Sequence, residues 1–103
     1  MKGWVAALVL VVAVCPAFAS SRSRRGAVLF ASSGCEHCHS VNHVGGKKGP
    51  DLSNVGRTAK KAAIQKQIIY GGDQMPPFGK ILEPAEIKDL VAYLHSCREK
   101  TRK

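Results

Sequence analysis

The first 19 residues of this 103-residue chain have the pattern of a targeting segment, so few residues remain to build a core. Lys2 precedes an apolar run over residues 4–14, and residues 17–19 (Ala-Phe-Ala) have the small-x-small pattern of a signal cleavage site. We therefore predict cleavage after Ala19 and export to the periplasm or an equivalent compartment. An uncleaved anchor is the alternative, but Pro16 ends the run well short of the roughly 20 residues that span a bilayer.

The predicted mature chain is short and cationic. Removing 19 residues from 103 leaves 84, and a domain of that size commonly needs a metal, a cofactor or cross-links to be stable. The full chain has 16 Lys and Arg against 7 Asp and Glu, a formal net charge of +9, and losing Lys2 leaves +8. We expect one domain over residues 26–97, a flexible basic tail over 20–25 and a basic C-terminal tail over 98–103.

The distribution of apolar residues, glycine and proline predicts short helices separated by long loops, with no strand. Spacings of three and four residues predict a helix over 26–33, and good helix formers predict another from about 58 to 70. Pro84 begins a last helix, whose apolar stripe is Ile87, Leu90, Val91 and Leu94. Loops as long as 35–56, in a chain this small, usually enclose a ligand.

Residues 35–39 read Cys-Glu-His-Cys-His, the C-x-x-C-H pattern of haem c attachment. The spacing suits this chemistry, because two thiols one turn apart can add to the two vinyl groups on one side of a haem. His39 is then brought beneath the ring, where an imidazole nitrogen can bind iron. A disulfide between Cys35 and Cys38 and a zinc site formed by these cysteines with His39 and His43 are the alternatives.

Met75 is the candidate for a second iron ligand, because the prolines that follow it hold its thioether in a stiff loop. A histidine and methionine pair fills both axial positions, which leaves no open site for substrate and favours one-electron transfer over enzymatic catalysis. His43 is the only other histidine near enough in sequence to compete for the iron. The residues expected to pack against the haem are Phe30, Leu52, Ile64, Ile68, Tyr70, Phe78 and Leu94.

These motifs, in this order, resemble a class I cytochrome c in its small bacterial single-haem form, over residues 26–97. The matching segments are 26–30, 35–39, 49–52 (Gly-Pro-Asp-Leu), 75–78 (Met-Pro-Pro-Phe) and 87–94. The resemblance implies an all-α fold of three to four short helices around one covalent haem, in which the first and last helices cross near Gly26 and Phe30. It also implies that the Pro50 carbonyl accepts a hydrogen bond from the axial His39.

Three features depart from that family pattern. No tryptophan follows residue 19, although many relatives use one to bind a haem propionate. Glu83 stands where Ser, Thr or Asp is the preferred cap of the last helix. Cys97 is left over, and we interpret it as a small buried side chain rather than as a redox or dimer-forming thiol.

The resemblance therefore implies a soluble, exported, monomeric electron carrier and not an enzyme. Alternatives are a haem subunit of a larger dehydrogenase or oxidase, and a haem enzyme or gas sensor if Met75 does not bind iron. The positive charge predicts acidic redox partner proteins, with weak binding to anionic membranes as a second possibility. Nucleic acid is excluded as a partner, because the basic segments carry no aromatics that could stack on bases. The lysines expected around the haem are Lys47, Lys48, Lys60, Lys61, Lys66 and Lys80.

Overall fold

The structure is a computed structural model that describes residues 21–98, in which short helices and turns surround a small apolar core. The helices are α1 over residues 21–32, a single 3-10 turn over Cys35–His37, α2 over Val55–Thr58, α3 over Lys61–Tyr70 and α4 over Pro84–His95. The expected all-α class is confirmed. The expectation of no strand is wrong at one place, where β1 (Ser40–Val41) and β2 (Val44–Gly45) form a minimal antiparallel hairpin.

The helix α1 begins earlier in the chain than we predicted. Residues 21–25, expected to be a flexible basic tail, are helical, so that expectation is wrong for them. The reason is long-range: the Asp89 carboxylate on α4 is nearly buried and lies 3.1 Å from the Arg25 guanidinium and 3.5 Å from that of Arg22. A carboxylate removed from water needs such partners, and satisfying it holds this end of α1 against α4.

The crossing of α1 and α4 lies where the family resemblance implied. A Cβ atom added to Gly26 would lie 2.1 Å from the Asp89 carbonyl oxygen, so only glycine allows the backbones to approach this closely. One turn further on, the rings of Phe30 and Tyr93 pack at a centroid distance of 5.7 Å and an angle of 57°. Leu90, in the middle of α4, is only 1% exposed.

The helix α3 packs its isoleucines into the core and turns its last residue outward. Ile64 and Ile68 are buried one turn apart, as expected from the sequence. Tyr70, also expected in the core, is 70% exposed, so that expectation is wrong. Two residues along a helix correspond to a rotation of about 200°, so Tyr70 lies on the face opposite Ile68.

Helix α4 has a cap of a different kind from the one expected. The Glu86 carboxylate accepts a 2.8 Å hydrogen bond from the Glu83 backbone N–H, as in a capping box. Glu83 therefore caps the helix, although Ser, Thr or Asp is the usual residue at this position.

The predicted cleavage site and the tail after residue 98 lie outside the described residues. Between residues 21 and 98 no helix is long and apolar enough to cross a bilayer.

Candidate functional site

The two cysteines of the C-x-x-C-H motif are separated by one tight helical turn. Gly34 begins the turn in the left-handed conformation, and the backbone N–H groups of Cys38 and His39 both donate to the Cys35 carbonyl, at 3.2 and 3.0 Å. Both cysteines are half-buried free thiols. Burial raises the pKa of the Cys35 thiol, and a hydrogen bond to its own backbone only partly opposes this.

His39 is held by the loop that follows it in the chain. Its Nδ1 lies 2.8 Å from the Pro50 carbonyl oxygen, the contact that the resemblance implied. Because a carbonyl can only accept, Nδ1 is the donor in this contact, which leaves Nε2 as the ring nitrogen that can bind a metal. Gly49 packs against the imidazole, since an added Cβ would lie 2.7 Å from Cε1. The sequence analysis missed this role of Gly49, whose only signal was its position before Pro50.

Backbone hydrogen bonds join the segment carrying His39 to the segment carrying Pro50. The Gly49 N–H donates to the Cys38 carbonyl at 2.7 Å, and the Leu52 N–H donates to the Ser40 carbonyl at 2.8 Å. The two segments therefore run side by side on either side of the His39 ring contact, and the imidazole orientation is set by backbone rather than by flexible side chains.

The Asp51 carboxylate reinforces this pairing from the solvent side. Its Oδ1 accepts hydrogen bonds from the hydroxyls of Ser53 at 2.9 Å and Ser40 at 3.0 Å. The Ser53 hydroxyl in turn accepts from the Asn42 backbone N–H at 2.7 Å. The hydrogen bonds from Ser53 and then Ser40 lower the pKa of Asp51. The hydroxyls of Ser40 and Ser53 thus connect β1 and the turn after it to Asp51, the residue next to Pro50.

Met75 lies in a tight loop fastened to the end of α3. Its backbone exchanges hydrogen bonds with Gly72, at 2.6 and 3.0 Å, and its carbonyl lies so close to Gly71 that an added Cβ would be 2.4 Å from the oxygen. The Gln67 amide Nε2 donates to the Met75 sulfur at 3.8 Å and to the Gly71 carbonyl at 3.2 Å. Gln67 is a second residue that sequence reasoning missed, because nothing in its helical spacing points to the sulfur.

One cavity brings most of the predicted site together. Cys35, His39 and Met75 line it, whereas Cys38 and Pro50 do not. The rest of its wall is apolar: Phe30, Leu52, Ile68, Phe78, Leu90 and Leu94. Thiol, imidazole and thioether groups facing such a wall are the donors used by a covalently attached haem, so the residues present fit that group.

The geometry does not support the alternative of a zinc site. Among residues 21–98, no group of three or more His, Cys, Asp or Glu side chains is arranged to hold a metal ion. His43 is exposed, does not line the cavity and sits with φ 72° in the turn between β1 and β2. A zinc site built from His43 and the motif residues is therefore not formed.

A family match and two related proteins place the chain among the cytochromes c. Residues 21–94 match the family described as cytochrome c oxidase, cbb3-type, subunit III. The chain belongs to the class I cytochrome c family. It is 31% identical over 94 residues to cytochrome c-555 of Methylococcus capsulatus, a match covering 87% of this chain and 76% of the relative. It is 33% identical over 98 residues to cytochrome c6 of Gloeothece citriformis, covering 84% and 81%. No solved structure matches it.

Membership of this family implies a covalently bound haem c, with its iron, and a role in electron transport. The cytochrome also has the mainly helical architecture expected of a small member. Its donor residues and its apolar wall meet in the cavity between α1, α3, α4 and the loops that carry His39 and Met75.

Proposed function

We propose that this cytochrome is a soluble, exported carrier of single electrons between redox proteins. In this proposal Cys35 and Cys38 form the thioether bonds to haem, and His39 and Met75 are its axial ligands. The observation that carries the proposal is that the His39 imidazole and the Met75 thioether line the same apolar cavity, which Cys35 also lines.

A haem iron held by His39 and Met75 would supply one-electron redox chemistry. The protein holds the donor groups of His39 and Met75 in position and excludes water from the apolar cavity that they line. The Pro50 carbonyl keeps the proton on Nδ1 of His39 and so leaves Nε2 as the donor. The apolar wall lowers the local dielectric constant. With His39 and Met75 both bound to the iron, no site would remain for a substrate, which supports a carrier rather than an enzyme.

The charge of the mature chain supports acidic redox proteins as partners. A formal +8 attracts negatively charged docking surfaces over distances set by ionic strength, and the attraction weakens as salt is added. The predicted targeting segment and the extracytoplasmic attachment of haem c support export. A monomer in solution is the expected state.

A role as an oxidase subunit is the second candidate. It is favoured by the name of the matching family, which refers to a subunit of a cbb3-type cytochrome c oxidase. The two candidates differ in behaviour during purification. A carrier elutes alone from detergent-free extracts, whereas a subunit co-elutes with larger membrane-derived components.

The decisive experiment combines intact mass with visible and near-infrared spectra of protein matured in an exporting host. We expect the mass of the cleaved chain plus one haem and a methionine-to-iron band that Met75→Ala abolishes. His43→Ala is the matched control and should leave that band unchanged. A bare polypeptide mass would overturn the proposal. Rapid stoichiometric carbon monoxide binding by the reduced wild type at neutral pH would instead indicate an open iron site, as in an enzyme or gas sensor.

A further inference from the structure

The segment over residues 52–72 has a one-sided charge. It contains four cations, Arg57, Lys60, Lys61 and Lys66, and no Asp or Glu. Arg22 and Arg25 of α1 differ, because both form ion pairs with the Asp89 carboxylate. The three lysines form no ion pair within residues 21–98. Their charge therefore acts outward, on whatever approaches α3.

One exposed face of α3 combines these charges with a large aromatic side chain. Each of five exposed residues lies three or four positions from another member of the set: Lys60, Ala63, Lys66, Gln67 and Tyr70. We call these five residues the lysine–tyrosine face. Tyr70 is 70% exposed, which is unusual for so large an amphipathic side chain. Exposed tyrosine flanked by charge is typical of the residues on which protein interfaces depend.

The lysine–tyrosine face is directly connected to the candidate iron ligand. Gln67, one of its members, donates from Nε2 to the Met75 sulfur at 3.8 Å. Tyr70 is followed at once by Gly71, whose carbonyl accepts from the same amide at 3.2 Å. A molecule resting on this face would contact Gln67, whose amide reaches the Met75 sulfur.

We propose that the lysine–tyrosine face is the docking surface for an acidic redox protein, with Tyr70 at the end beside the Met75 loop and Lys60 and Lys66 along its length. This inference rests on the proposed electron-carrier function. The charges of Lys60 and Lys66 attract the acidic surface, and Tyr70 supplies the contact area that stabilises the complex. The short connection through Gln67 places the docked partner close to the Met75 loop.

The test uses a gold electrode coated with a carboxylate-terminated monolayer as the acidic surface, at low salt. Lys66→Glu should lower the amount of electroactive holoprotein adsorbed by about tenfold, because it reverses a charge at the contact. Lys88→Glu on α4 and Lys47→Glu near the C-x-x-C-H turn make the same charge change elsewhere and should lower adsorption by about twofold or less. Tyr70→Ser should slow interfacial electron transfer without changing the charge, and Tyr70→Phe should restore most of the rate.

Different outcomes would overturn the docking surface and the electron-carrier function. A reversible one-electron wave in every variant, with equal adsorption losses for the three lysine variants, overturns the docking surface and leaves the carrier intact. No wave in the wild type overturns both. Tighter binding of the wild type to phosphatidylglycerol vesicles than to the monolayer, lost in Lys66→Glu, identifies an anionic membrane as the occupant and overturns the acidic-protein proposal.

Discussion

The α1–α4 crossing and the loop over residues 35–56 are held together by different forces. Helix α4 buries Ile87, Asp89, Leu90, Val91 and Leu94, and it meets α1 through protein packing. The loop buries one large hydrophobic residue, Val41, and depends on backbone hydrogen bonds and on donor groups facing a cavity. The helices can therefore form a core from their own side chains, whereas we expect the loop to need the haem to complete one.

Removing the haem attachment should have the largest effect and should act first on the loop. In Cys35→Ala/Cys38→Ala we expect a largely unfolded chain, because a small domain has only about 5–15 kcal/mol of stability and the haem supplies much of its core. Residual amide protection should be confined to the α1–α4 pair. Circular dichroism melts and hydrogen exchange measure both effects.

The matched control for that variant is Cys97→Ala, which removes the remaining described thiol and should keep the haem and a cooperative melt. A cooperative, native-like melt of the haem-free double variant would contradict the proposed dependence of the loop on haem.

Crowding the helix crossing should destabilise the protein while leaving the haem spectrum unchanged. In Gly26→Ala the added Cβ meets backbone at 2.1 Å, and overpacking of this kind costs about 1–3 kcal/mol, partly offset by up to about 1 kcal/mol of helix preference. We expect a net loss of about 1–2 kcal/mol in denaturant unfolding. Gly72→Ala is the control, because its Cβ approaches only the Gln67 amide, at 3.4 Å. Equal stability of the two variants would show that the α1–α4 crossing accommodates the added methyl group.

A change at the Met75 sulfur should affect the site and not the crossing. Gln67→Leu removes the donor that lies 3.8 Å from the sulfur. With Met75 bound to iron as proposed, the thioether would then give more electron density to the metal, which favours the ferric state. We expect a reduction potential lower by roughly 20–40 mV, equivalent to about 0.5–1 kcal/mol for one electron. Cyclic voltammetry measures it, with Gln65→Leu as control. An unchanged potential in Gln67→Leu would mean that the contact does not influence the iron.

The smallest expected effect is the response of the loop to acid. Since the folded-state pKa of Asp51 lies below its ordinary value, its carboxylate contributes stability above that ordinary value and loses it as pH falls through the folded pKa. Asp51→Asn should therefore be less stable than the wild type near neutral pH, with the difference vanishing in strong acid. Chemical denaturation across pH checks this, with Asp73→Asn as control. A difference independent of pH would exclude the carboxylate charge as its cause.

Much of the site followed from short-range patterns. The C-x-x-C-H spacing and the stiff Met75 loop pointed to Cys35, His39 and Met75, which line one cavity. Glycine and proline located the C-terminal end of α3 and the start of α4, whereas α3 begins at Lys61 and not at about residue 58. These features depend on covalent geometry and backbone conformation within a few residues, so they can be recognised without knowing the fold. The family resemblance supplied the Pro50 contact, which spacing alone did not indicate.

Contacts between distant residues were decided by the tertiary structure. The partnership of Arg22 and Arg25 with Asp89 made a helix of a predicted tail, and the outward rotation of α3 exposed Tyr70. The amide of Gln67 reaches the Met75 sulfur only because the loop folds back on the helix. Sequence spacing reports which residues share a local face, but which charge, carbonyl or sulfur faces them depends on how the helices and loops pack together.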